Sequence, residues 1–161
     1  MRRGWVLPLL LLAACGADRA THVMEDDAMA PGLKRGTQVE VTVLEESAYE
    51  PKRGDVVLLR RPDGWGQGEF VVRRVVGLPG EEISCCSSMG LIYVGSTPIE
   101  EPYVHTAASA RATTGCSLRD FLAKVPAGQL FVLSDKRSNA IDSRCLGAVP
   151  LSAVVGVWHP A

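Results

Sequence analysis

The sequence has no surplus of charge: 17 lysine and arginine side chains stand against 18 aspartate and glutamate, a formal net charge of −1 over 161 residues. Without a broad basic field, nucleic acid is excluded as the main partner. Histidine is scarce, His22, His105 and His159 lie far apart, and no CxxC spacing occurs among the five cysteines. No metal-ligand set is recognisable in that pattern, and neither metal nor cofactor is expected. Long apolar runs are missing too. The leading one, Trp5 to Ala14 behind Arg2 and Arg3, is too short for a durable transmembrane helix. There is no internal repeat and almost no helical periodicity, which sets aside solenoids and helical bundles. What is present is 47% apolar and 22% charged, the composition of one ordinary globular domain.

The run at the start has the layout of an export signal: a positive n-region, a short apolar stretch, then small residues. It ends Leu12-Ala13-Ala14-Cys15, which looks like the lipobox of bacterial lipoproteins, where the cysteine is acylated and becomes the first mature residue. The expected organisation is a lipoprotein signal peptide at 1–14, an acylated Cys15 and tether at 15–23 within a polar stretch running to Asp27, and a domain at 24–160. The expected location is extracytoplasmic, on a bacterial membrane, at the periplasmic face or the outer cell surface. Export places Cys85, Cys86, Cys116 and Cys145 in an oxidising compartment. Four thiols allow three pairings, and the sequence does not choose among them. Neighbours seldom bond to each other, so the pairing favoured joins Cys85 or Cys86 to Cys116, a loop of roughly thirty residues worth about 3 kcal/mol.

Gln38 to Leu44 alternates Val39, Val41 and Val43 with Gln38, Glu40 and Thr42, the period of a half-buried strand. Asp55–Arg60, Phe70–Val76, Leu91–Val94, Leu130–Leu133 and Val154–Trp158 are further β-branched or aliphatic runs. Turn signals separate them at Pro51-Lys52-Arg53-Gly54, Pro62-Asp63-Gly64, Leu78-Pro79-Gly80 and Pro126-Ala127-Gly128. The fold class is therefore mostly β. One helical turn is expected at Ser117–Lys124, where Ser117 and Asp120 are spaced as in a capping box. His105 to Gly115 reads as a surface loop.

Three separated segments resemble signal peptidase I, the membrane-bound serine endopeptidase that removes leaders from exported proteins. Ala28-Met29-Ala30-Pro31-Gly32-Leu33, followed by Arg35-Gly36, is similar to the family's Ser-Met-x-Pro-Thr-Leu segment. Arg53-Gly54-Asp55-Val56-Val57 and Val72-Arg73-Arg74-Val75-Val76-Gly77-Leu78-Pro79-Gly80 resemble its Gly-Asp-Val and Lys-Arg-Val-x-Gly-x-Pro-Gly segments. Ser134-Asp135-Lys136-Arg137 through Asp142-Ser143-Arg144 is close to its Gly-Asp-Asn-Arg to Ser-x-Asp-Ser-Arg stretch, and Gly90 to Tyr103 resembles its connecting hairpin. The resemblance runs from Met24 to Pro160 and implies the family's coiled, mostly antiparallel β fold in a single domain.

It also implies a serine and lysine dyad, in which a neutral lysine amine takes the serine proton. Here the nucleophile position is Ala28 and the base position Arg73, so a methyl group and a permanently protonated guanidinium stand where a hydroxyl and an amine are needed. The position of the serine that helps hold the oxyanion is Asp26, whose charge would oppose the transition state. The position of the serine that orients the lysine is Ala140. No catalytic set is intact.

Arg73 is expected to pair with Asp26 or Asp27. Asp142 and Arg144 are expected to brace the loop behind the base position. Met29, Pro31 and the strand before Arg73 are expected to keep a groove for extended peptides or exported proteins, bound by strand addition without cleavage. The alternatives are an active endopeptidase with a relocated nucleophile, for which Ser84, Ser87, Ser88 and Ser143 lack a recognisable partner, and a structural lipoprotein. An anchor at Cys15 stands about thirteen residues from Ala28, so the cleft would stay within roughly 45 Å of the bilayer.

Overall fold

A computed structural model describes residues 18–45, 49–87, 90–104, 121–138 and 140–160. Seven strands form one antiparallel sheet: β1 (Arg19–Val23), β2 (Gln38–Val43), β3 (Val56–Arg60), β4 (Phe70–Gly77), β9 (Gln129–Leu133), β10 (Val149–Pro150) and β11 (Val154–Trp158). Their order is β1-β2-β11-β3-β4-β9-β10. A second sheet has the order β7-β6-β5-β8, from β5 (Glu82–Cys85), β6 (Ile92–Val94), β7 (Thr97–Pro98) and β8 (Phe121–Lys124). The short helix α1 (Ser143–Leu146) follows β9. Among the described residues no helix is long and apolar enough to cross a membrane.

The central strands carry apolar residues on both faces, which explains their continuous runs. Along β3, Val57 and Leu59 join one core, together with Val71 and Val75 of β4 and Leu130 and Val132 of β9. Val56, Leu58 and Val72 point the other way into a second core with Met24, Met29 and Leu33. Val76, Phe131 and Leu133 reach a third core with Ile83 and Ile92 of the smaller sheet. Side chains alternate at every residue along a strand, so Arg73 shares the face of Val71 and Val75. The β4–β9 register starts at Arg74 opposite Leu133. The first half of β4, Phe70 to Arg73, is paired with β3 and has no β9 partner.

Turn chemistry acts where the sequence points to it. Gly54 has φ +94°, a conformation that costs a residue with Cβ, and its N–H donates to Val75 O at 2.8 Å. The turn after β4 is held by Glu81, which accepts from Leu78 N at 2.7 Å and from Arg53 Nη2 at 2.6 Å. Burial alone would raise the Glu81 carboxyl, but its bonds to Arg53 and Leu78 outweigh that and hold it below the ordinary range.

Several expectations need correction. The tether at 15–23 is not all tether: Arg19 to Val23 form β1, with Arg19 opposite Thr42 and Val23 opposite Gln38. A polar segment becomes a strand here because β2 offers its backbone partners, a long-range condition that local composition does not report. The helical turn fails over Phe121–Lys124, which is β8, paired with β5 from Glu82–Lys124 to Cys85–Phe121. Ser117, Asp120 and the loop His105–Gly115 lie outside the described residues. Val43, which the alternation of β2 would bury, is 41% exposed. Cys85 and Cys86 are joined to each other, against the pairing with Cys116, and Cys145 is also disulfide-bonded. Cys116 lies outside the described residues.

Candidate functional site

The site lies where β4 loses its β9 neighbour. The segment after β1, Met24 to Gly36, folds back over this point and is pinned by Met24 N to Thr37 O at 2.9 Å and Gly36 N to Met24 O at 2.8 Å. A second link comes from the far end of the chain, where Lys136 N donates to Ala28 O at 2.8 Å. Between these segments is a cleft of about 770 Å³. Its lining includes Asp26, Ala28, Phe70, Arg73, Ala140 and Ile141. The four positions expected to carry the family's mechanism, Asp26, Ala28, Arg73 and Ala140, are thus brought together.

Arg73 is only 2% exposed. Its Nη1 donates to Val72 O at 2.7 Å and its Nε to Ile141 O at 3.1 Å. Its Nη2 meets Asp26 Oδ2 at 3.4 Å, the long end of a charge-assisted contact. Burial pulls the guanidinium below its ordinary value, while the charges of Asp26 and Asp142 oppose that pull. The expected pair is therefore present with Asp26. Asp27 turns away, accepting from Arg35 N at 2.9 Å.

Asp26 has a second role. Its Oδ1 accepts from Ala28 N at 3.0 Å. A carboxylate two residues before an amide reaches it as an Asx-type turn. The result is a negative oxygen seated on the main-chain donor of Ala28, the expected nucleophile position.

Asp142 and Arg144 form a buried ion pair. Arg144 Nε and Nη2 grip both carboxylate oxygens of Asp142 at 2.8 and 2.6 Å, with both side chains almost fully buried. Asp142 also caps α1 by accepting from Arg144 N, and it takes Ser134 N at 3.1 Å. Arg144 Nη1 donates to Arg137 O at 2.9 Å, and Arg137 pairs with Glu101. These bonds tie Ser134 and Arg137 to Asp142 and Arg144, which flank the segment that carries Ala140 and Ile141.

Sequence reading missed the neighbouring cluster. Arg74 forks onto Asp135 at 2.8 and 2.6 Å and lies over the Tyr103 ring at 3.9 Å. Burial, then the charge of Glu101, push the Tyr103 hydroxyl well above its ordinary value. The adjacent pair Arg73-Arg74 was a usable signal, since alternation must send two such side chains to opposite faces.

Met29 and Pro31 do not line the cleft. Met29 is 1% exposed and packs in the second core with Leu33 and Val72, while Pro31 is exposed. A large apolar side chain beside a turn gains more from that core than from a wet groove. The strand before Arg73, Phe70 to Val72, does line it, together with Trp65. Of the serines weighed as nucleophiles, Ser143 Oγ is bonded by Val132 N and Ser87 Oγ by Leu91 N, and Ser88 lies outside the described residues. Cys15 also lies outside them. Among the described residues, no group of three or more His, Cys, Asp or Glu side chains is placed to hold a metal ion.

The family model described as signal peptidase, peptidase S26, matches residues 4–159. The chain is 27% identical over 135 residues to a probable signal peptidase I-1 of Synechocystis, covering 81% of this chain and 64% of that one. It is 31% identical over 123 residues to signal peptidase I U of Bacillus subtilis, covering 76% and 63%. It thus spans just under two thirds of the length of those two relatives. With signal peptidase I V of the same organism, identity is 29% over 164 residues, covering 98% and 94%. The crystal structure of a signal peptidase I from Enterococcus faecalis superposes with a TM-score of 0.53 at 29% identity, over 69% of this chain and 98% of that one.

Proposed function

The chain belongs to the signal peptidase family, peptidase S26, and on that premise we propose that it is a member without peptidase activity, which holds extended peptides near a membrane in its old cleft. The observation that carries the first half is Arg73. It stands on β4 at the position where the family resemblance puts the general base, almost fully buried and bonded as a donor only. A guanidinium gives up no proton in a protein and cannot activate a hydroxyl. Ala28 supplies no hydroxyl, and Asp26 places a negative charge on the Ala28 N–H, where a developing oxyanion would need a free donor.

The second half is supported by the sheet. Phe70 to Arg73 face the cleft along the side of β4 that β9 leaves unpaired. Open strand edges of this kind accept an extended peptide through main-chain hydrogen bonds, with side chains read by the surrounding walls. The lipobox-like Leu12-Ala13-Ala14-Cys15 supports anchoring by acylation at Cys15 on the outer side of a bacterial membrane.

The test is direct. Purified mature protein is incubated with a precursor carrying small residues before the cut, and with a serine-reactive acylating probe. Neither cleavage nor labelling is expected, and turnover of the precursor overturns the loss of activity. A photoreactive extended peptide should cross-link to residues of β4, and its failure to do so overturns the binding role. Cys15→Ser should move the protein from the membrane to the soluble fraction.

A further inference from the structure

The two oxygens of Asp26 are divided between two donors. Oδ1 sits on Ala28 N at 3.0 Å and Oδ2 faces Arg73 Nη2 at 3.4 Å. One main-chain amide and one guanidinium therefore form a two-point seat for a carboxylate, and the chain fills it with its own. We propose that this seat receives the C-terminal carboxylate of a peptide ending in a small residue, with Asp26 as an internal stand-in that yields to it. The proposal rests on the peptide-binding reading above and narrows it to peptides with a free C-terminus at this point.

Charge is the first argument. Arg73 is buried, yet its closest counter-ion is held loosely. Asp142, the other anion that acts on it, is already gripped by Arg144 and Ser134 N. A buried cation with an incomplete partner is a strong attractor for a better-placed anion, because Coulomb interactions gain weight away from water. Exchangeability is the second. The Asp26 side chain is 42% exposed, so it can turn into solvent and be rehydrated, whereas Arg73 cannot leave. The third is direction and size. A chain laid along Phe70 to Val72 in the same sense as β4 ends beside Arg73, and the residues flanking its terminus, Ala28 and Ala140, carry only methyl groups. An internal peptide bond at that place carries no charge to exchange for Asp26, so the seat distinguishes an end from a middle.

The experiment is calorimetric titration of the mature protein with a short extended peptide ending in alanine, as free acid and as C-terminal amide, and with a longer peptide containing the same sequence internally. The free acid is expected to bind about tenfold or more tighter than the amide, as charge-assisted hydrogen bonds predict. Asp26→Ala is expected to tighten the acid about tenfold and leave the amide within about twofold. Arg73→Gln is expected to abolish the difference. Equal binding of acid and amide by both the wild type and Asp26→Ala overturns the seat and leaves the groove standing, as does binding of the internal peptide alone. Failure of all three peptides to bind overturns the peptide-binding reading itself. The acid and amide comparison in the wild type and Asp26→Ala does not need Arg73→Gln, so it decides the question even where that variant does not fold.

Discussion

Arg73 and Asp26 meet at 3.4 Å in the cleft, the guanidinium 2% exposed and the carboxylate 42%. The two ends of the contact therefore differ in what their removal does. Water screens the pair at its carboxylate end, and when the carboxylate is removed the guanidinium keeps its carbonyl acceptors on Val72 and Ile141. Asp26→Ala is expected to lower stability by only about 0.5–1 kcal/mol. Arg73→Ala is expected to cost at least about 2 kcal/mol, since two carbonyls lose a charged donor and a long buried stem is removed. Urea unfolding of both variants checks the ordering, and equal losses would contradict it.

In the Asp142–Arg144 pair, by contrast, both partners are buried. Asp142→Ala strands the Arg144 guanidinium, frees Ser134 N and removes the cap of α1. A loss of about 3–5 kcal/mol is expected, read from the denaturant midpoint. A loss under about 1 kcal/mol would show that the pair is not a brace.

On the proposed loss of peptidase activity, restoring the dyad alone is not expected to restore the reaction. Ala28→Ser with Arg73→Lys supplies a hydroxyl and an amine, yet Asp26 Oδ1 remains on the residue 28 N–H and Ala140 offers no hydroxyl to orient the lysine. The double variant should cleave a precursor weakly or not at all. Adding Asp26→Ser and Ala140→Ser should raise turnover by about a hundredfold or more, the size of an oxyanion-hole donor. Full activity from the first two changes would refute the reading of Asp26 as an obstacle.

Glu81 gives a pH dependence with a definite sign. Its folded pKa is held below the ordinary value by Arg53 and Leu78 N–H against the upward effect of burial. A carboxyl depressed on folding adds stability above its unfolded pKa and loses it as pH falls through the folded pKa. Wild type should therefore exceed Glu81→Gln in stability at neutral pH. The difference should shrink as the pH drops below about 4.3, the ordinary glutamate value, and it is read from thermal midpoints across that range. A gap that grows on acidification would reverse the sign and exclude this origin.

Much of the frame was legible in one dimension. The strands β2, β3, β4, β6, β9 and β11 match alternating or continuous apolar runs, several of them bounded by Gly54, Gly80 and Gly128, because period and turn chemistry are local properties. The strands that were not foreseen, β1, β5, β7, β8 and β10, are short or polar and exist by virtue of the neighbour they pair with. Met29 shows the same limit at the site: its place in a motif suggested a groove, and its volume drew it into the core.

The sequence by itself determined which chemical groups are available. Ala28 has no hydroxyl and Arg73 no basic lone pair whatever surrounds them, since these are properties of the side chains. Tertiary structure alone decided that Asp26 rather than Asp27 faces Arg73 across 47 positions of the chain, and that its other oxygen covers the Ala28 amide. The reason is physical: which of two adjacent carboxylates meets a buried cation depends on the turn that aims them and on the strand that holds the cation in place, and that strand is positioned by the packed sheet around it.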